Sequence, residues 1–136
     1  MIEQKSFSGW AHITRAEDVP NCWVGHCLDF NIMSIGESPQ HALGMVREAV
    51  GIALADDLNH GRDPHARRAD SQDWEPLVRL FEKHTKIPIS QMDTQGQGFK
   101  EFAAQITVVL TKLQREDGVA PNVDLDIDGS DVLSAA

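Results

Sequence analysis

An α+β fold is what this chain predicts, and three observations carry the prediction. Apolar and polar residues alternate at period two from Phe7 to Thr14 and again from Ala104 to Thr111, the pattern of strands with one buried face. Between them, apolar residues recur at three- and four-residue steps from Ala42 to Leu54, the stripe of one amphipathic helix. Turn-forming residues at Asp18–Asn21 and Asp29–Asn31 stand close enough together to require antiparallel hairpins. With 136 residues, 41% of them hydrophobic, the chain has enough apolar side chains to fill the core of one domain. The expected organisation is a domain over residues 1–113 with a helical insertion at about 61–99, followed by an acidic C-terminal tail over 114–136.

The first strand sets Phe7, Gly9, Ala11 and Ile13 on one face and Ser8, His12 and Thr14 on the other, with Trp10 sharing the polar face. Asp18, Pro20 and Asn21 bend the chain into a second strand, about Cys22 to Leu28. Asp29-Phe30-Asn31 turns it into a third, about Ile32 to Ile35, which completes a three-stranded antiparallel meander. Gly36-Glu37-Ser38-Pro39 then starts a helix, because the Ser38 hydroxyl can accept from free backbone N–H groups and Pro39 needs no donor at the first helical position. Ala42, Leu43, Val46, Ala49, Val50, Ala53 and Leu54 form its apolar stripe, while Gln40, Arg47, Glu48 and Asp56 take the other faces. Asn59 or Gly61 stops it.

A second, inserted helix is predicted over roughly Asp73–Thr85, capped by Asp73 and carrying Trp74, Leu77, Val78, Leu80 and Phe81. Pro76 suits only its first turn. Pro88 blocks continuation, and Ser90–Gly98 reads as a loop. The further strand begins near Phe99, and its connection is long enough to set it parallel to an earlier strand.

Twelve Lys and Arg stand against 21 Asp and Glu, a formal charge of -9, so the chain repels phosphate backbones and broad nucleic-acid binding is not expected. The basic run of Arg62, His65, Arg67 and Arg68 is offset by Asp57, Asp70 and Asp73 and reads as a solvated connection. No stretch reaches the ~20 apolar residues that span a bilayer, and the first residues lack the apolar run of a signal peptide, so a soluble cytoplasmic protein is expected. Cys22 and Cys27, five positions apart in one strand, are too widely separated for a disulfide and are expected as reduced thiols.

Trp23, Val24 and Gly25, then Leu28, Asp29 and Phe30, then Ser34, then Gly36, Glu37 and Ser38, and finally Ala42, Glu48 and Ala49 follow one another in an order that resembles the HicB-like antitoxin family, a partial ribonuclease H-like fold. The resemblance covers residues 7 to 58 well and the final strand loosely. His41 departs from it, standing in the first turn of the helix where the family usually has Glu. The segment from Gly61 to Phe99 is longer than the family's connection. Members often end in a helix-turn-helix or ribbon-helix-helix module, whereas Glu116–Ala136 has no apolar periodicity and few basic residues, so DNA binding is not expected.

What the resemblance implies is a type II toxin-antitoxin role: a non-catalytic protein-binding module that sequesters a small basic ribonuclease toxin, HicA-like. The charge of -9 suits such a partner. Family members assemble through their sheets, so a homodimer is implied as well. The residues expected to meet a partner are Trp10 and Trp23, Asp29 and Phe30, and Asp124, Asp126 and Asp128 of the acidic tail.

Other chemistries compete for the same residues. His12, Cys22, His26 and Cys27 offer nitrogen and sulfur donors for zinc, but the two cysteines point to opposite faces of a regular strand. Asp124-Leu-Asp-Ile-Asp-Gly-Ser-Asp131 opens like a calcium-binding EF-hand loop, yet its twelfth position is Ala135 where a bidentate Glu belongs, and an edge strand reads equally well. Asp29, Glu37 and Asp57 are too scattered along the chain to converge on two metal ions. The expectation is therefore no catalysis and no cofactor, with an orphan regulator or adaptor that binds zinc or calcium as the alternative.

Overall fold

Period-two patterning is realised as one antiparallel sheet with a helix on each face. The computed structural model describes residues 2–94, 97–113, 119–123 and 131–135. Strands β1 (Ile2–Arg15), β2 (Trp23–Cys27) and β3 (Ile32–Gly36) form the expected meander, with Asn21 and Asn31 at positive φ in its two turns. Helix α1 (Pro39–Asn59) follows, then helix α2 (Ser71–Glu82), β4 (Thr85–Pro88) and β5 (Glu101–Leu113). Two more strands, β6 (Val119–Val123) and β7 (Asp131–Ala135), complete the described chain. The sheet order is β3-β2-β1-β5-β7-β4, with β6 also paired to β5. No described helix is long and apolar enough to cross a membrane.

The alternating residues divide as the pattern requires. Ala11 and Ile13 of β1, with Phe102, Ala104, Ile106, Val108 and Leu110 of β5, lie buried beneath the Ala42, Leu43, Val46, Val50 and Leu54 stripe of α1. Arg47 is buried too, so α1 sinks deeper into its surroundings than the stripe alone implies. On the opposite face α2 lays Leu77 and Leu80 against Leu28 and Ala103, with Trp10, Trp74, Phe81 and Leu133 at the margin.

The ends of α1 are fixed by local chemistry. Ser38 Oγ accepts the N–H of His41 at 3.1 Å, and His41 Nδ1 accepts the N–H of Glu37 at 2.9 Å. That exchange is a variant of the capping box, in which a histidine stands where Glu or Gln usually does and reaches back to the N–H of the residue before the N-cap instead of the N-cap's own. The N–H of Gln40 donates to Asp93 at 2.9 Å, which ties the far connection to the same helix start. The first turn of α1 seats on glycines. A Cβ at Gly36 would stand 2.4 Å from the Ala42 nitrogen, and one at Gly25 would stand 3.0 Å from Val46.

Several expectations are corrected. β5 is antiparallel to β1, with Ile2 opposite Leu113 and Thr14 opposite Glu101. One helix alone would return the chain to start a parallel strand. Here α2 makes a second crossing, from the level of Leu28, where the Ala69 N–H bonds its carbonyl, to the level of Thr85 and Phe102, so β5 is entered from the other end. Asp73 lies inside the first turn of α2, and Asp70 holds the N-cap position without a side-chain bond. Pro76 is the sixth residue of that helix, past the first turn, where it lacks the N–H that would reach Gln72.

The loop expected at Ser90–Gly98 is preceded by β4 and overlaps a 3-10 turn over Ile89–Gln91 that delivers Met92 into the core. The described parts of the acidic tail are not a free appendage: β6 and β7 belong to the sheet, and Val132 and Ser134 are buried. Pro121 in β6 and the inward Ser134 of β7 hide both strands from a search for apolar alternation. Ser134 is inward because its hydroxyl donates to the Thr85 carbonyl at 3.1 Å.

Candidate protein interface

Three of the four arginines that look exposed in sequence between α1 and α2, or in the first turn, are held by carboxylates of the chain itself. Asp57, 1% exposed at the end of α1, receives Arg67 at 2.6–2.7 Å and Arg62 Nε at 3.1 Å. Arg67, beside it, does most to hold the Asp57 carboxyl below its ordinary value; burial opposes the shift and Arg62 adds to it. Arg62 also pairs with Asp56, and Arg67 Nε donates to the Phe30 carbonyl at 3.3 Å. Arg68 lies 3.5 Å from Asp29 and 4.1 Å over the Trp74 ring, and Arg15 lies 5.0 Å over Trp23. The segment is largely exposed, as a solvated connection would be, and within it Arg62 and Arg67 latch onto the end of α1 while Arg68 reaches Asp29.

The residues expected to meet a partner are mostly structural. Trp23 is 6% exposed, packs 5.9 Å from Phe102 on the α1 face and offers little surface. Phe30 is buried against Phe7 and His65. Asp29 Oδ1 accepts the backbone N–H of Trp10 at 2.7 Å, where the pairing of β1 with β2 ends. Trp10 is half-buried and meets Phe81 of α2 edge-on at 4.8 Å. Asp124, Asp126 and Asp128 lie outside the described residues, and so does most of the calcium-like loop.

The groups considered for metal or catalysis are likewise dispersed. His12 stands directly opposite His26 across β1 and β2, but its Nε2 bonds Glu101 at 2.8 Å and His26 bonds Asn31 at 2.8 Å. Cys27 points to the other face, where burial first and the Asp29 charge second push its thiol up to about 12. Among the described residues no three His, Cys, Asp or Glu side chains converge as a metal site would need. Glu37 and Asp57 sit at opposite ends of the 21-residue α1, about 30 Å apart at 1.5 Å per residue.

What the fold leaves open is the β3 end of the sheet. Met33 and Ile35 point to the face opposite α1 and are each 60% exposed, because α2 covers that face only around Trp10 and Ala103. Val24 beside Ile35 is half-buried, and Val19 in the neighbouring turn is exposed. That turn frames a shallow hollow of about 430 Å³ walled by Arg15, Asp18, Pro20 and Trp23. A signal for this surface was present in the sequence. In Ile32-Met33-Ser34-Ile35 the polar Ser34 falls on the α1 face, so the outward residues are the apolar ones.

Charge on the described surface is lopsided. Arg62, Arg67 and Arg68 pair with Asp56, Asp57 and Asp29, so these charges largely cancel, and exposed acids such as Glu17, Asp18, Glu37, Glu48, Asp73 and Glu75 face solvent. Comparison with family models, with curated proteins and with solved structures finds no match to this chain.

Proposed function

We propose that this chain is a non-catalytic protein-binding module that captures a small basic protein, in the manner of a HicB-like antitoxin holding a ribonuclease toxin. The observation that carries the reading is the pairing of Arg62, Arg67 and Arg68 with Asp56, Asp57 and Asp29: these charges cancel among themselves, and the formal charge of -9 is carried by other groups, exposed acids such as Glu17, Asp18, Glu37, Glu48, Asp73 and Glu75 among them. A surface of one sign steers an oppositely charged partner into contact and rejects nucleic acid. The use of Asp29 and Asp57 as structural clamps supports a binding role over hydrolysis, since both carboxylates are already engaged by groups of the chain itself. Two free thiols agree with a reducing cytoplasmic setting.

The test is co-expression with a small basic protein encoded beside this chain, followed by titration of the purified pair. Binding is expected to weaken at least tenfold between about 50 mM and about 300 mM salt, as screening shortens the reach of the acidic surface. Reversing Glu17, Asp18 and Glu37 to lysine is expected to weaken it further, and the partner's ribonuclease activity is expected to fall when the complex forms. Salt-insensitive binding, or a complex untouched by the reversed charges, overturns the reading.

A further inference from the structure

We infer that the open face of β2 and β3 is a seat for one amphipathic helix of a basic partner, lying beside α2 on that side of the sheet; the inference rests on the capture of a basic protein proposed above. The width of the open field selects a helix. α2 packs on Trp10 of β1, Ala103 of β5 and Leu133 of β7, with Leu28 just past the end of β2. Val24 and His26 of β2, and Met33 and Ile35 of β3, lie outside those apolar contacts. Two strands at about 4.8 Å spacing make a field about 10 Å wide, the diameter of one helix with its side chains. The five residues of each strand run about 17 Å, the length of about three helical turns.

The chemistry of the field selects the kind of helix. Met33 and Ile35, each 60% exposed, stand beside His26 and Val24 and give the seat an apolar floor. Its margin is acidic. Glu37 follows the end of β3, Glu17 and Asp18 follow the end of β1, and Glu101 opens β5 opposite Thr14, so these carboxylates gather at one end of the sheet. The cations adjoining them in sequence are Arg15 and Lys100, and Arg15 is drawn over Trp23 on the α1 face. A helix with one apolar stripe flanked by lysine or arginine meets both demands, its stripe on Met33 and Ile35 and its cations toward the carboxylates. A second copy of this chain would instead bring a like charge of -9 to the same acidic margin.

The test titrates the full chain with a synthetic helix of about 14 residues, built of leucine and lysine with the leucines on one stripe, and with a permuted peptide of the same composition that lacks the stripe. The striped peptide is expected to bind at least about tenfold more tightly and to shift the amide NMR signals of β2 and β3 first. Ile35→Lys is expected to leave the melting temperature unchanged and to weaken binding about tenfold or more. Ile52→Lys adds the same charge at a comparably exposed isoleucine of α1, and should weaken it less than about threefold. Equal loss in the two variants, first shifts on α1, equal affinity for the two peptides, or no binding at ~1 mM peptide overturns the inference. So does a sedimentation mass of twice 15.0 kDa without peptide that Ile35→Lys halves, since a second copy then occupies the face. Partner capture is judged apart, on the co-expressed pair: salt-sensitive binding there that ignores Ile35→Lys removes this seat and leaves capture standing.

Discussion

Asp57 shows how one residue decides the meaning of its neighbours. Arg62 and Arg67 look like a basic patch until the buried carboxylate at the end of α1 draws both of them in. Because the folded carboxyl is held below its ordinary value, chiefly by Arg67, it binds fewer protons than in the unfolded chain. Its contribution to stability is therefore complete above the unfolded value of about 3.9 and is lost as pH falls through the lower folded value. Asp57→Asn should melt several degrees below the parent chain at pH 7, and the gap should narrow below about pH 4. A gap constant from pH 7 to about pH 3 in thermal melts followed by circular dichroism would refute this role for the carboxylate. None of it was legible in sequence, where Asp57 is one of 21 acids and its burial depends on the loop that returns over it.

Elements were legible in proportion to how local their causes are. The meander, the Ser38 cap and the α1 stripe rest on contacts within a few residues, and they appear at nearly the expected positions. β4, β6 and β7 do not, because each is defined by a strand far away in sequence and carries too few alternating residues to announce itself. The seat of α1 on β3 can be tested directly. Gly36→Ala would force a Cβ to within 2.7 Å of the Ala42 Cα, and should cost about 1–3 kcal/mol in denaturant unfolding, since backbone cannot step aside. Ser38→Ala, which removes one cap bond and no packing, should cost about 1 kcal/mol. If the serine variant proves the more damaging, the close approach is not what fixes the helix.

At the scale of the molecule, the acidic charge was legible in the sequence, and the open apolar face was signalled by the alternation around Ser34 but its place at the edge of the sheet was not. An acidic binding module was the expectation from charge, and the tryptophans and Asp29 were the residues first associated with it. The structure uses those residues as packing and clamps, and leaves Met33 and Ile35 on the open face in their place. The reason is physical. Large aromatic side chains repay burial most, so in a small domain they are taken up by the core before any partner can claim them. Met33 and Ile35 stay exposed because of where the edge of the sheet falls, and that edge is set by strand order, which composition does not encode.

The pairing of β1 with β5 has a consequence in time. Ile2 finds Leu113 and Thr14 finds Glu101, so the central seam of the sheet joins parts of the chain that are made far apart in time. A chain emerging from the ribosome at about 5–20 residues per second must wait several seconds with β1 unzipped on that side. Contacts of such long sequence separation also slow the closing step itself. Refolding of the purified chain should therefore be slower than that of helical proteins of its size, in the range of milliseconds to seconds, and stopped-flow fluorescence of Trp10 and Trp23 would time it. Until that seam closes, β1 has an open edge that it must keep from other chains.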